Sequence, residues 1–402
     1  MWKGIAFREP VVCVLVCFMG KSIPQNPYFS NPLGGAYAFV AVWGRGSACF
    51  VSWGILQRMP EEVTYRDAGV DIDAMNRALA SIKESVQRTF TPAVLSDMGA
   101  FGGMVLLDLQ SYRQPVLVAS IDGVGTKVRV ARMMGQYRVL GHDVVAHGVN
   151  DLLVQSARPL FFLDYLAMSR LEPEVLQQVV AGASALCQSL GIVLLGGETA
   201  EMPDVYMPGE VDVAGCIVGI AEYSQILHPS RVVPGDAVIG LASNGLHTNG
   251  YSLARRVLFD IANLSPNDLL PDSSVTIGEA LLQPHRPYFS AVFPLLDSDV
   301  IHGMAHITGG GFYDNIPRTL PSDARVVIDR RSWEVPSIFR RIQELGNVSD
   351  AEMFRVFNMG VGYVLIVARE RVGEVLSALQ VAGETAWLIG EVQRGSREVQ
   401  VI

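Results

Sequence analysis

The chain has 402 residues, half of them hydrophobic and 18% charged, with 31 lysines and arginines against 40 aspartates and glutamates. That length is more than one ordinary core and sets two domains as the expectation. A net charge of −9 excludes the general basic excess that gathers nucleic acid or a membrane surface, and five scattered cysteines make neither a disulfide framework nor a CxxC pair, as suits a reducing, cytoplasmic compartment.

The first 58 residues differ from the rest. Lys3, Arg8, Lys21, Arg45 and Arg58 face a single acid, Glu9, so this stretch carries +4 and the remainder −13. Its apolar run Val11 to Met19 has the look of a signal-peptide core and is too short to span a bilayer. Targeting segment, membrane anchor and mis-assigned start are the three readings; the last is the expectation, with the protein proper beginning at Met59.

From Asp71, apolar residues at Ile72, Met75, Leu79, Ile82, Val86 and Phe90 predict an amphipathic helix that ends before Pro92. The glycine-rich stretch Ser96 to Gly103 suits a loop able to fold over a ligand, or a plain surface turn. Val116 to Ile121 reads as a buried strand ending at Asp122-Gly123-Val124-Gly125-Thr126-Lys127. In the helix that follows, Asp143, His147, Asn150 and Asp151 fall on one side of the wheel, a short polar stripe that suits a functional face better than plain solvation. Phe161 to Met168 is a further strand, and Pro173 opens a helix closed by Gly191. Ile192 to Leu195 is a strand running into a glycine turn, Gly196-Gly197, which delivers Glu198 and Glu201.

Proline and turn residues from Leu227 to Asp236 mark a linker and divide the chain into domains at 59–229 and 230–402. Ala237 to Ala242 is a strand leading to Ser243-Asn244-Gly245-Leu246-His247-Thr248-Asn249-Gly250. Thr308-Gly309-Gly310-Gly311 precedes a helix, and Val364 to Val367 is another strand. The mixture sets the fold class as α/β or α+β in two domains.

Familiar motifs fail. Lys127 lacks the glycine spacing of a P-loop, Gly123-Val124-Gly125 is a partial dinucleotide fingerprint, and His302-Gly303-Met304-Ala305-His306 has zinc-helix spacing without its glutamate, so it reads as an accident. What survives is a set of acids, Asp122, Asp143, Asp151, Glu198 and Glu201, beside glycines and Lys127. Acids alone repel a triphosphate, so the physical reading is Mg²⁺ bridging carboxylates to a nucleotide, with Lys127 and glycine N–H groups neutralising further charge.

These residues resemble the phosphoribosylformylglycinamidine cyclo-ligases, or aminoimidazole ribonucleotide (AIR) synthetases, of purine biosynthesis. The resemblance runs from Thr64 nearly to Ile402 and rests on Asp122 to Lys127, Val149-Asn150-Asp151, Gly196 to Pro203, His247 to Ser252, and Thr308 to Phe312. It implies a two-domain α/β fold whose amino-terminal domain pairs strands across a homodimer. It also implies ATP-dependent closure of formylglycinamidine ribonucleotide to AIR, ADP and phosphate. On that basis Asp122 and Asp151 hold Mg²⁺, with Glu198 and Asp143 as further ligands or as partners behind the ligands, and a monovalent cation is a second expected cofactor. Gly123, Gly125, Thr126, Lys127, Gly196 and Gly197 contact the nucleotide, and Gly309, Gly310 and Gly311 cradle the substrate phosphate, or else simply make a sharp turn. His247, assisted by Asn249, transfers a proton or polarises the formyl group, or either residue simply anchors substrate. The alternatives are another ATP-using relative, such as thiamine monophosphate kinase, and a catalytically silent nucleotide-binding subunit.

Overall fold

The computed structural model describes residues 64–402 apart from Asp272, and ahead of them the backbone of three strands. The chain divides into two compact units, Met1–Ala68 and Gly69–Ile402. In the first unit, β1 (Leu15–Val16), β2 (Tyr37–Val42) and β3 (Phe50–Ile55) pair antiparallel in that order. The apolar run at 11–19 lies outside the described residues except at Leu15 and Val16, as does the expected start at Met59.

The second unit opens with α1 (Ile72–Gln87), whose first turn is capped by Asp71 accepting from the Ala74 N–H and whose Ala78, Ile82 and Val86 are buried. A four-stranded sheet follows in the order β4-β7-β5-β6, with β4 at Pro115–Gly123, β5 at Arg158–Met168, β6 at Val193–Glu201 and β7 at Val211–Glu222. Between these strands lie α2 (Lys127–Met134), α3 (Arg138–Val154) and α4 (Pro173–Leu190). The glycines Gly196 and Gly197, expected in a turn, sit inside β6, paired with Leu163 and Asp164. Gly197 has to be glycine, because a Cβ there would stand 1.8 Å from Asp164 Oδ1.

Helix α3 is buried on nearly every side. It touches α4 through Gly141 and Gly182: a Cβ on either would come within 2 Å of a backbone carbonyl of the other helix. Helices cover one face of the sheet; on the other, Leu117 and Ile121 are 62% and 76% exposed.

The second half is a six-stranded mixed sheet in the order β13-β10-β12-β8-β11-β9. Its strands are β8 (Ala237–Ala242), β9 (Ile301–His306), β10 (Ala324–Ile328), β11 (Val361–Val367), β12 (Ala386–Arg394) and β13 (Glu398–Val401). Every residue of β11 is buried, which explains its unbroken apolar sequence. Among the described residues no helix is long and apolar enough to cross a membrane.

Candidate functional site

Asp122 ends β4 and Asp151 lies on α3; His147, one turn before Asp151, stands between them. Its Nε2 is 2.9 Å from Asp122 Oδ2 and 3.7 Å from Asp151 Oδ2. The other Asp151 oxygen accepts from His306 Nδ1 at 2.8 Å, at the end of β9, and Ser120 donates its hydroxyl to Asp151 at 2.8 Å. Donation from His147 holds the Asp122 carboxyl below its ordinary range against some burial. Burial by itself would raise Asp151, but hydrogen bonds and charge from His306 and His147, with Ser120, hold it at about 2. Both acids are therefore standing anions, and Asp122 is 54% exposed.

A cavity of about 380 Å³ opens beside this corner, between the two halves of the second unit, lined by Ser120, Asp151, His306, Thr308, Asn315 and Arg318 among others. Behind it lies a cluster of imidazoles. His285 Nε2 faces His306 Nε2 at 3.1 Å, and His247 stacks on His285 with ring centroids 4.0 Å apart. His147 Nδ1 bonds Thr248 Oγ1 at 3.0 Å.

Several expected site residues take other parts. Lys127 and Asp143 are fully buried and paired at 2.6 Å, and Lys127 Nζ also donates to the carbonyls of Gln283 and His247. Asp143 Oδ1 accepts the His285 N–H. Burial works against both charges, pushing the lysine down and the aspartate up, so each depends on the other. The pair corrects two expectations: Lys127 has no free donor for a phosphate, and Asp143 no open oxygen for a metal.

His247 is also buried. Burial pushes its imidazole well below the ordinary value, its Nδ1 has no partner, and its φ of 60° is a left-handed conformation unusual for histidine. Against the expected contact with substrate, it has no solvent-facing edge here: its carbonyl accepts from Lys127 Nζ and its ring stacks on His285. Asn249 lies near Gly309, with Oδ1 3.3 Å from where a Cβ there would be.

Glu198 does not join Asp122 and Asp151. Its register partner row, Tyr165, Ala214 and Gly123, crosses the whole sheet, so it stands about 14 Å from the end of β4, three strand spacings away. It lines a second cavity of about 610 Å³ with Gly196, Gly197, Asp164 and the loop Asp97 to Gly103. Burial pushes Asp164 up to about 7. Glu201 is tied to the backbone N–H groups of Asp71 and Leu171. Thr126 bonds Ser252 across the two halves at 3.1 Å. At the triple glycine, Gly311 donates its N–H to Thr308 and a Cβ on it would strike the Phe354 carbonyl at 2.0 Å; the turn alone explains that glycine.

Sequence reasoning missed His285 and His306. His306 carried a signal: like Asp122, it ends a strand that runs into a glycine turn.

The fold and this acid-lined corner define a class, and the chain matches both of its domain families: AIR synthase related protein, N-terminal domain, over residues 104–221, and AIR synthase related protein, C-terminal domain, over 233–402. Solved structures share the fold. The thiamine-monophosphate kinase of Stenotrophomonas maltophilia matches with a TM-score of 0.61 at 18% identity over 81% of this chain and 95% of that one. E. coli HypE, a hydrogenase maturation protein, matches with 0.55 at 17% over 81% and 94%. Similarity to phosphoribosylformylglycinamidine cyclo-ligases is much greater: 49% identity to that of Trichlorobacter lovleyi over 83% of this chain and 96% of the relative. The Geotalea daltonii cyclo-ligase is 47% identical over 83% and 95%. The chain belongs to the phosphoribosylformylglycinamidine cyclo-ligase family.

Proposed function

We infer that this chain closes the imidazole ring of aminoimidazole ribonucleotide, consuming ATP and formylglycinamidine ribonucleotide. The observation that carries the reading is 49% identity along 334 residues, spanning both halves and every motif block from Asp122 to Phe312. Likeness to the kinase at 18% identity supports the fold alone.

An amide oxygen is a poor leaving group. The formyl oxygen attacks the γ-phosphorus, the bond to the bridging oxygen of ADP breaks, and the oxygen becomes part of a phosphate ester. The ribosyl-bearing amidine nitrogen then attacks the formyl carbon, the C–O bond breaks with release of phosphate, and loss of a proton leaves the aromatic ring. The chain's part is to hold two anionic substrates together and keep water out.

Asp122 and Asp151 supply hard oxygen donors that are ionised at every physiological pH, which fits Mg²⁺ shared with phosphates. When bound, the cation offsets triphosphate charge during transfer. Gly123, Gly125 and Thr126 border that corner. The nucleotide lies along the carboxyl ends of β4, β5 and β6, from Asp122 toward Gly196, Gly197 and Glu198, under the Asp97 to Gly103 loop; the common placement of ligands at strand carboxyl ends in α/β sheets supports this. The cavity beside Asp151 takes the second substrate, with Arg318 and the turn at Gly309 and Gly310 near its phosphate. His247 and Asn249 position the wall between them. The open face at Leu117 and Ile121 fits burial against a second copy, making a homodimer.

The test is the full chain with Mg-ATP and formylglycinamidine ribonucleotide, following ADP and the diazotisable amine together. Equal formation of both is expected. Phosphorylation of thiamine monophosphate without ring closure would favour the kinase, and neither product from a folded protein that binds ATP would favour a silent subunit.

A further inference from the structure

The corner that receives the cation in the reading above is not made of oxygens alone. His147 Nε2 lies 2.9 Å from Asp122 Oδ2, and His306 Nδ1 lies 2.8 Å from Asp151 Oδ1. Around a first-row dication with bonds of about 2.1 Å, neighbouring ligand atoms stand roughly 3 Å apart. Both pairs already stand near that spacing, and one ligand atom each from His147, Asp151 and His306 falls within 4.8 Å of the others, with Asp122 joining the set through His147 Nε2.

Each of the four is also held from behind. Asp122 Oδ1 accepts the Gly123 N–H at 2.7 Å, and Asp151 Oδ2 accepts the Ser120 hydroxyl at 2.8 Å. His147 Nδ1 meets Thr248 Oγ1 at 3.0 Å, and His306 Nε2 meets His285 Nε2 at 3.1 Å. Such outer partners fix ring orientation and tautomer in metal sites.

Hydrogen-bond accounting among the buried rings points the same way. Asn150 Oδ1 accepts the Tyr288 N–H, so its amide nitrogen donates to the Arg286 carbonyl and, at 3.2 Å, to His285 Nε2. His285 Nε2 is then an acceptor. When His306 gives its Nδ1 hydrogen to Asp151, its Nε2 presents a second lone pair to that same atom. A cation on His306 Nδ1 moves the hydrogen to Nε2, where it shares the His285 Nε2 lone pair with the Asn150 amide. A cation on His147 Nε2 likewise moves that ring's hydrogen to Nδ1, facing Thr248 Oγ1, which also accepts from His285 Nδ1 at 3.4 Å. Each ring then directs a hydrogen toward its outer partner, and the opposed lone pairs disappear.

We propose that Asp122, His147, Asp151 and His306 form a two-nitrogen, two-oxygen site that binds a first-row transition dication, of the Mn²⁺ to Zn²⁺ class, more tightly than Mg²⁺. Imidazole nitrogen favours that class, whereas Mg²⁺ gains little from exchanging a water for it. The inference rests on the reading that Asp122 and Asp151 hold the nucleotide's cation.

The test uses the full chain loaded with Mn²⁺ and reads nitrogen couplings by pulsed EPR, with calorimetry for affinity. The expected spectrum has two imidazole nitrogens, one lost in His147→Gln and the other in His306→Gln. Mn²⁺ binds at least ~10-fold more tightly than Mg²⁺. Thr248→Val, which touches no ligand atom, lowers Mn²⁺ affinity by roughly 10- to 100-fold. Mn²⁺ bound without any histidine coupling, or with the affinity of Mg²⁺, overturns the proposal and leaves the carboxylate reading standing. Unchanged Mn²⁺ affinity in Asp122→Asn with Asp151→Asn overturns both, because the cation would then sit elsewhere. The wild-type spectrum decides the matter even where a variant fails to fold.

Discussion

Helix α3 carries two aspartates two turns apart, Asp143 and Asp151, and the fold treats them in opposite ways. Asp143 is sealed with Lys127 between the halves, with neither side chain exposed, so its charge serves cohesion. Asp151 sits where α3 meets the cavity, with two of its neighbours imidazoles, and its charge remains available to a ligand. The same residue type on one helix is structural or reactive according to what the second half packs against it. Composition of a helical face does not distinguish the two.

The comparison breaks most visibly by removing charge at the open end. Asp122→Asn with Asp151→Asn lowers turnover by roughly three orders of magnitude or more while circular dichroism stays that of the wild type. Retained turnover would place the cation elsewhere. At the closed end, Lys127→Met leaves the buried Asp143 carboxylate without its counter-charge and costs about 3–5 kcal/mol of stability in urea unfolding. Adding Asp143→Leu recovers part of that loss. A variant that loses ATP binding at undiminished stability would return Lys127 to the phosphate.

Two pH effects sharpen the contrast between an acid held by partners and one that is not. Asp164 has a folded value of about 7 against an ordinary 3.8, so its neutral form suits the fold. Stability is greatest while it is protonated and declines as pH rises from about 4 through 7, by about 4 kcal/mol at most. Asp164→Asn removes that decline in chemical denaturation at pH 5 and pH 8. Asp151 runs in the opposite sense: its value of about 2 lies below 3.8, so its contribution is full above about pH 4 and is lost as pH falls through 2, amounting to about 2 kcal/mol. Asp151→Asn flattens this acid limb.

Much of the architecture was legible because it depends on local pattern. Periodicity from Ile72 to Val86, Pro173 at a helix start, and the apolar run of β11 all act within one element. Gly196 and Gly197 misled, since glycine punctuates turns in general but here clears room inside β6 for Asp164. Asp122 could be singled out as an acid beside a glycine at a strand end, and Asp151 as part of a polar stripe along its helix. Their meeting with His306, 155 residues beyond Asp151, could not, because it depends on how the halves pack. The burial of Lys127, Asp143 and His247 has the same origin: polar residues read as functional until the packing partner is known. His302 and His306 looked like a stray motif, yet on one strand they reach different acids, Asp236 and Asp151.

The central claim is that ATP activates the formyl oxygen for ring closure. Substrate carrying ¹⁸O in its formyl group, turned over by the full chain with ATP, tests it directly by mass analysis of the phosphate released. The label is expected in inorganic phosphate, one atom for each ring closed. Unlabelled phosphate beside ring product would show that ATP is hydrolysed without activating that oxygen, and would contradict the account.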